Sequence, residues 1–197
     1  MGYPVQVLII RHGEKLGTSS DDTDGGPDLS LRGSARAAAL PSLFALTQPS
    51  QLSCPLTTAK GGFQGTYTPV NVAGSPPRFQ TPDFIFATQA SKHSNRPVET
   101  ITPLASALDL TYDDKHANDD YAKMARDILT NSKYVGKIVL ICWHHGDIPS
   151  LATALGIASP PKWPGTVFDL VWQISWPSGQ AILSSQCQML LYGDTTC

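Results

Sequence analysis

The chain has 197 residues, and at about 150 residues per domain that is one domain with room for a sizeable core. Charged residues make up only 15%, against about 25% in an ordinary globular chain, so the surface leans on uncharged polar groups. A net charge of −2 gives no electrostatic reason to expect nucleic acid or an anionic membrane as partner, and no apolar stretch reaches the roughly 18 residues that a bilayer span needs.

In chain order, residues 5–10 are a short apolar, β-branched run of the kind that forms a strand buried on both faces. The run is too short, and too closely followed by Arg11, for a signal peptide. Residues 30–46 carry Leu31, Ala35, Ala38, Ala39, Leu43 and Leu46 at spacings of three and four, which predicts a helix that Pro41 divides. Residues 47–82 hold six prolines, four glycines and two charges, Lys60 and Arg78; the stretch reads as an ordered flap beside a site or as a disordered loop.

Residues 83–87 form a second buried run, and 137–143 a third and stronger one. Between them, 95–108 places Val98, Ile101, Leu104 and Leu108 on one helical face, with Pro97 in the first turn and Pro103 bending the middle. Asp119 or Asp120 can cap a further helix reaching about Leu129. Residues 166–176 and 180–188 read as two strands joined by Pro177-Ser178-Gly179. Strands that feed helices imply β-α units and a mainly parallel sheet.

The four cysteines, Cys54, Cys142, Cys187 and Cys197, form no C-x-x-C pair. They read as reduced thiols in a cytoplasmic protein, although Cys187 and Cys197 are placed to pair.

Two strand ends carry similar chemistry. The first runs into Arg11-His12-Gly13-Glu14 and the strand at 137–143 into His144-His145-Gly146-Asp147. In open α/β sheets ligands collect beyond the carboxyl ends of the strands, where a helix N-terminus favours an anion. Arg11 and Arg96 add guanidinium forks suited to a phosphate group. Singly these signals are weak. In order, Arg11-His12-Gly13-Glu14, Leu29-Ser30-x-x-Gly33-x-x-Arg36-Ala37, Arg96-x-x-Glu99-Thr100 and His145-Gly146 resemble the histidine phosphatase superfamily, over nearly the whole chain outside 47–82.

The resemblance implies a three-layer α/β/α sandwich of the phosphoglycerate mutase-like type, one domain over 1–197, with a mainly parallel central sheet. It implies a phosphomonoester hydrolase whose nucleophile His12 becomes a phosphohistidine, with Arg11, Arg96 and His145 holding the phosphoryl oxygens. No metal or other cofactor is called for, and the partner is a small phosphorylated molecule. A Gly directly after the functional histidine selects His145, which leaves His144 facing the opposite layer or a neighbouring loop. Family members generally take a general acid from a Glu between the second Arg and the second His. Here the two glutamates, Glu14 and Glu99, lie outside that interval, so the acid falls to Asp147, to Asp113 or Asp114 in a loop after Leu110, or to a leaving group that needs none. Two rivals stay open: a mutase-like phosphotransferase, and a catalytically silent member that binds a phosphorylated ligand or a protein. A metal site built from His12, His93, His116, His144, His145 and Cys142 lacks the usual close-paired ligand spacing.

Overall fold

Residues 7 to 10 of the first strand point alternately to two separate cores, Val7 and Ile9 to one and Leu8 and Ile10 to the other, all fully buried. A strand buried on both faces sits in the middle layer of three. The computed structural model describes residues 2–16, 26–45 and 77–194. Six strands make one sheet: β1 (Gln6–Arg11), β2 (Phe84–Thr88), β3 (Tyr112–His116), β4 (Ile138–Trp143), β5 (Leu170–Ser175) and β6 (Ile182–Cys187), in the order β3-β2-β4-β1-β5-β6. The first four run parallel, while β5 and β6 form an antiparallel hairpin on the β1 side. The hairpin turns through a 3₁₀ segment at Pro177–Gly179, the turn read from the sequence.

One face of the sheet is covered by α1 (Leu31–Ala39), α2 (Pro41–Phe44) and α3 (Arg96–Ala107), the other by α4 (Tyr121–Thr130) and α5 (Ile148–Ala154). Pro41 starts a new helix one residue after α1 ends, as its fixed φ and missing N–H require. Pro97 occupies the first turn of α3 and Pro103 is carried inside it. The architecture is the expected α/β/α sandwich.

Two expectations need correction. Residues 112–116 form β3 at the sheet edge, so Asp113 and Asp114 lie within a strand and not in a loop. An edge strand needs only one covered side, and Tyr-Asp-Asp-Lys-His therefore shows no apolar run. Cys187 is disulfide-bonded, which overturns the reading of four reduced thiols and removes the ground for expecting a reducing compartment; Cys142 is a buried free thiol. Most of the Pro- and Gly-rich stretch at 47–82 falls outside the described residues, but its end is packed: Phe79 is buried, stacks on Phe44 at 5.3 Å and donates its N–H to the Leu43 carbonyl. Among the described residues no helix is long and apolar enough to cross a membrane.

Candidate active site

β1 and β4 are parallel and in register, with Gln6 opposite Ile138 and Arg11 opposite Trp143. The next residues, His12 and His144, therefore leave the sheet side by side, and the His12 N–H still donates to the Trp143 carbonyl at 3.3 Å. Their imidazoles meet edge to face with centroids 5.2 Å apart. The ring beside His12 is therefore that of His144, which the sequence reading turns to the opposite layer or a neighbouring loop. Both histidines lie past the end of β4, where the alternation of a strand no longer holds. His145 lies toward Arg11: its Nε2 is 3.8 Å from the point that a Gly165 Cβ would occupy, and Arg11 donates to the Gly165 carbonyl.

His12 is held in one tautomer. Its Nδ1 lies 2.7 Å from the Gly13 carbonyl, and a carbonyl can only accept, so Nδ1 carries the proton and Nε2 keeps its lone pair. Burial pushes the His12 pKa down to about 2 against the pull of the Gly13 carbonyl, with His144, Arg11 and Arg96 adding to the fall. Burial, then Arg96, lowers His144 to about 4 despite Asp147. Both rings are neutral near pH 7. His145 is lowered as well, by burial and then by Arg11 and Lys15.

Arg11 is 2% exposed, with its guanidinium 3.6 Å above the Phe168 ring and Nη1 donating to the carbonyls of Gly165 (2.6 Å) and Val167 (3.1 Å). Burial brings its pKa down to about 10, with Glu14 opposing and Arg96 assisting. Arg96 is the first residue of α3 and uses Nη1 to reach the Gly26 carbonyl at 2.9 Å. Its pKa is also lowered, by burial, against Glu99 and Asp28. In both arginines Nε is buried without a partner. The other unpartnered buried side-chain atoms among the described residues are Thr88 Oγ1, Ser94 Oγ and Asn118 Oδ1. All five belong to residues at or just past the carboxyl ends of β1, β2 and β3. An unmet buried donor or acceptor costs about 1–3 kcal/mol, and a tetrahedral oxyanion would satisfy the donors.

The loop that carries His12 is fixed from two helices. Gly13 N–H donates to Thr100 Oγ1 at 2.8 Å, and that hydroxyl donates to the Arg96 carbonyl at 2.7 Å, so one threonine ties the His12 loop to the first turn of α3. Ser30 caps α1 by accepting the Gly33 N–H at 3.1 Å, and both its N–H and its hydroxyl donate to the Glu14 carbonyl. Glu14 is 6% exposed and meets Arg36 through two bonds, Nε at 3.0 Å and Nη2 at 2.7 Å, with Arg32 Nε as a third donor at 3.0 Å. Burial pulls Glu14 upward, but the Arg36 bonds outweigh it and its pKa is lowered. Glu99 accepts the Leu29 N–H at 2.7 Å and braces no arginine by hydrogen bond; burial and Asp28 raise its pKa.

Asp147 occupies the N-cap position of α5, yet its side chain makes no capping bond. It accepts instead from Asn118 Nδ2 at 2.6 Å. Asp113 is turned to the Lys115 N–H at 3.0 Å. Ser91, Lys92 and His93 are exposed, whereas Ser94 is buried. A cavity of about 470 Å³ shares Glu14 and Phe168 with the site and is otherwise walled chiefly by Arg32, Arg36, Asp194 and residues 166–169. Its two arginines are paired with Glu14 and Asp194. Among the described residues no group of three His, Cys, Asp or Glu side chains is placed to hold a metal ion. Sequence reasoning missed Asn118 and Phe168, and it gave no role to Thr100 or to the Glu14–Arg36 pair, although all three residues stood in the quoted motifs.

No family model matches the chain, and no curated protein matches it. Solved structures do. A mycobacterial glucosyl-3-phosphoglycerate phosphatase matches with a TM-score of 0.52 and 13% identity, over 91% of this chain and 96% of its own. An Escherichia coli protein described as an alpha-ribazole-5'-P phosphatase matches at 0.53 and 14%, over 92% and 95%. The phosphoglycerate mutase of Bacillus anthracis matches at 0.50 and 13%, over 93% of each chain. At these identities the likeness is one of fold.

Proposed function

We propose that this chain, which has the phosphoglycerate mutase-like fold of the histidine phosphatase superfamily, is a phosphomonoester hydrolase working through a phosphohistidine on His12. The observation that carries the reading is the state of that ring. It is 3% exposed, its Nδ1–H is held by Gly13, and its Nε2 lone pair is free beside two arginines that each keep a buried N–H unmet.

Nε2 attacks phosphorus in line, the P–O bond to the alcohol breaks, and the leaving oxygen takes a proton from Asp147. Arg11, Arg96 and the imidazole of His144 hold the phosphoryl oxygens as charge builds on them, with His145 at the rim beside Arg11. Phosphoryl transfer asks a protein mainly for such positioning and electrostatic stabilisation. Water then displaces His12 from phosphorus. The substrate is a small phosphorylated molecule. Among the described residues the arginines of the neighbouring cavity are already paired with carboxylates, so that cavity offers no free guanidinium to a second anionic group.

The test is rapid mixing with ³²P-labelled 4-nitrophenyl phosphate followed by an alkaline quench. Wild type retains label that acid releases, as a P–N bond does, and His12→Ala retains none. Hydrolysis by His12→Ala at the wild-type rate overturns the reading.

A further inference from the structure

Phe168 serves two spaces at once. Its ring carries the Arg11 guanidinium at 3.6 Å and meets the His12 ring edge to face, with centroids 6.1 Å apart. It also lines the cavity of about 470 Å³, which therefore lies one phenyl ring from His12. The topology brings the two together. β5 runs antiparallel to β1 with Val171 opposite Ile10, so residues 166–169 lie past the end of β1, as His12 does. β6 returns antiparallel to β5 with Cys187 opposite Leu170, and delivers residues 188–194 to the same end of the sheet. Ligands of open α/β sheets collect at that end, and the volume is of the size that small-molecule sites have.

The walls set what fits. Arg36 and Arg32 are each paired with both Glu14 and Asp194, so the charges there are already matched. Phe168, Val167 and Tyr192 supply the uncharged surface. Tyr192 is fully exposed, yet its backbone is held on both sides. Its carbonyl accepts from Arg32 Nη1 at 2.9 Å, the Asp194 N–H donates to the Leu191 carbonyl at 3.0 Å, and Asp194 Oδ2 accepts the N–H groups of Leu190 and Leu191. A fixed turn thus presents an unpacked aromatic ring at the cavity.

We infer that this cavity is the leaving-group subsite and that it takes a neutral aromatic alcohol, held against the rings of Phe168 and Tyr192, which makes aryl phosphates the substrate class. The inference rests on the phosphatase reading above. A flat ring gains stacking or edge contacts with both side chains beyond the area it buries, whereas a carboxylate or a second phosphate meets only guanidinium groups that are already paired. Phe168 and Tyr192 are specificity residues and take no part in bond making.

The experiment measures binding and turnover separately on wild type, Tyr192→Ala and Tyr192→Phe; the exposed position spares the fold. Calorimetric titration with 2-naphthol, which carries no phosphate, reports the subsite alone. Steady-state rates on 2-naphthyl phosphate and glycerol 3-phosphate report its use in catalysis. Tyr192→Ala should bind 2-naphthol about tenfold more weakly than wild type. It should also lose about tenfold of the wild-type preference, in kcat/KM, for the naphthyl ester over the glycerol ester, and lose it through KM. Tyr192→Phe should restore both, since the ring and not the hydroxyl makes the contact. A Tyr192→Ala protein that binds 2-naphthol as wild type does and keeps the wild-type preference overturns the inference and leaves the phosphatase reading standing. Binding of 2-naphthol that depends on Tyr192, in a wild type that hydrolyses neither ester, would instead keep the aromatic site and remove the phosphatase reading.

Discussion

His12 and His144 stand edge to face, 5.2 Å between centroids, because two in-register parallel strands end on the same line. The neighbouring His145 has no such contact with His12 and lies toward Gly165. The two histidines therefore differ in what their removal does. His144→Ala should lower kcat on an aryl phosphate by about a hundredfold or more, the usual loss for one preorganised donor. His145→Ala should cost less than about tenfold. Measured kcat values in the reverse order would return the phosphoryl contact to His145.

The same two rings set a pH dependence of stability. Their folded pKa values, about 2 for His12 and about 4 for His144, lie below the ordinary 6.5. As pH falls below 6.5 the unfolded chain takes up protons that the folded chain refuses, so stability falls with pH. Each such group removes at most about 1.4 kcal/mol per pH unit, less for the incompletely buried His144. Between pH 6.5 and 5 ordinary carboxylates scarcely titrate, which isolates the imidazoles. Urea unfolding across that window should give a steeper loss for wild type than for His144→Gln; equal slopes would mean that His144 is protonated in the folded protein.

The central layer was legible because strands buried on both faces must be continuous apolar runs, and residues 5–10 and 137–143 are. β3 was not, since Tyr112–His116 lies at an edge and keeps Asp113, Asp114 and Lys115. The site divides in the same manner. Arg11, His12 and Arg96 follow directly from strand and helix ends. That His144 stands beside His12 depends on the register between β1 and β4, which local sequence does not encode. Asn118 offers a sequence reader no pattern at all, because its meaning comes from Asp147, 29 residues away.

Glycine substitutions should sort the motifs by space. A Cβ on Gly33 would run into the Glu14 carbonyl oxygen and come within 2.9 Å of its nitrogen, both backbone atoms that cannot swing aside. Gly33→Ala should cost about 1–3 kcal/mol, as overpacking does, and lower kcat because Glu14 lies two residues past His12, the proposed nucleophile. Gly146, by contrast, meets nothing within 4 Å and has no positive φ. Gly146→Ala should leave the unfolding midpoint and kcat close to wild type. A Gly146→Ala enzyme as damaged as Gly33→Ala would show that the turn after His145 is tighter than this geometry.

Arg36 is 2% exposed and bonds three partners at once: Glu14 through Nε and Nη2, Asp194 through Nη1 (3.0 Å) and Nη2 (2.7 Å), and Gln188 through Nη1 (3.1 Å). It thus links the C-terminal segment to the loop that presents His12. Burial would raise the Asp194 pKa, but the Arg36 bonds and the N–H groups of Leu191 and Leu190 hold it at about 2. Removing the guanidinium leaves two confined carboxylates with only the half-exposed Arg32 as counter-charge, a loss of up to about 3–5 kcal/mol by comparison with fully buried pairs. Arg36→Met should show that loss in urea unfolding at pH 7. Arg36→Lys should recover only part of it, because an ammonium cannot reproduce the two-pronged contact with Glu14. The Glu14 and Asp194 carboxylates contribute stability that is present above about pH 4.5 and is lost as pH falls through their depressed folded values. The acid limb of the Arg36→Met stability curve should therefore be shallower than that of wild type. A cost below about 1 kcal/mol with an unchanged acid limb would reduce this network to a surface ion pair.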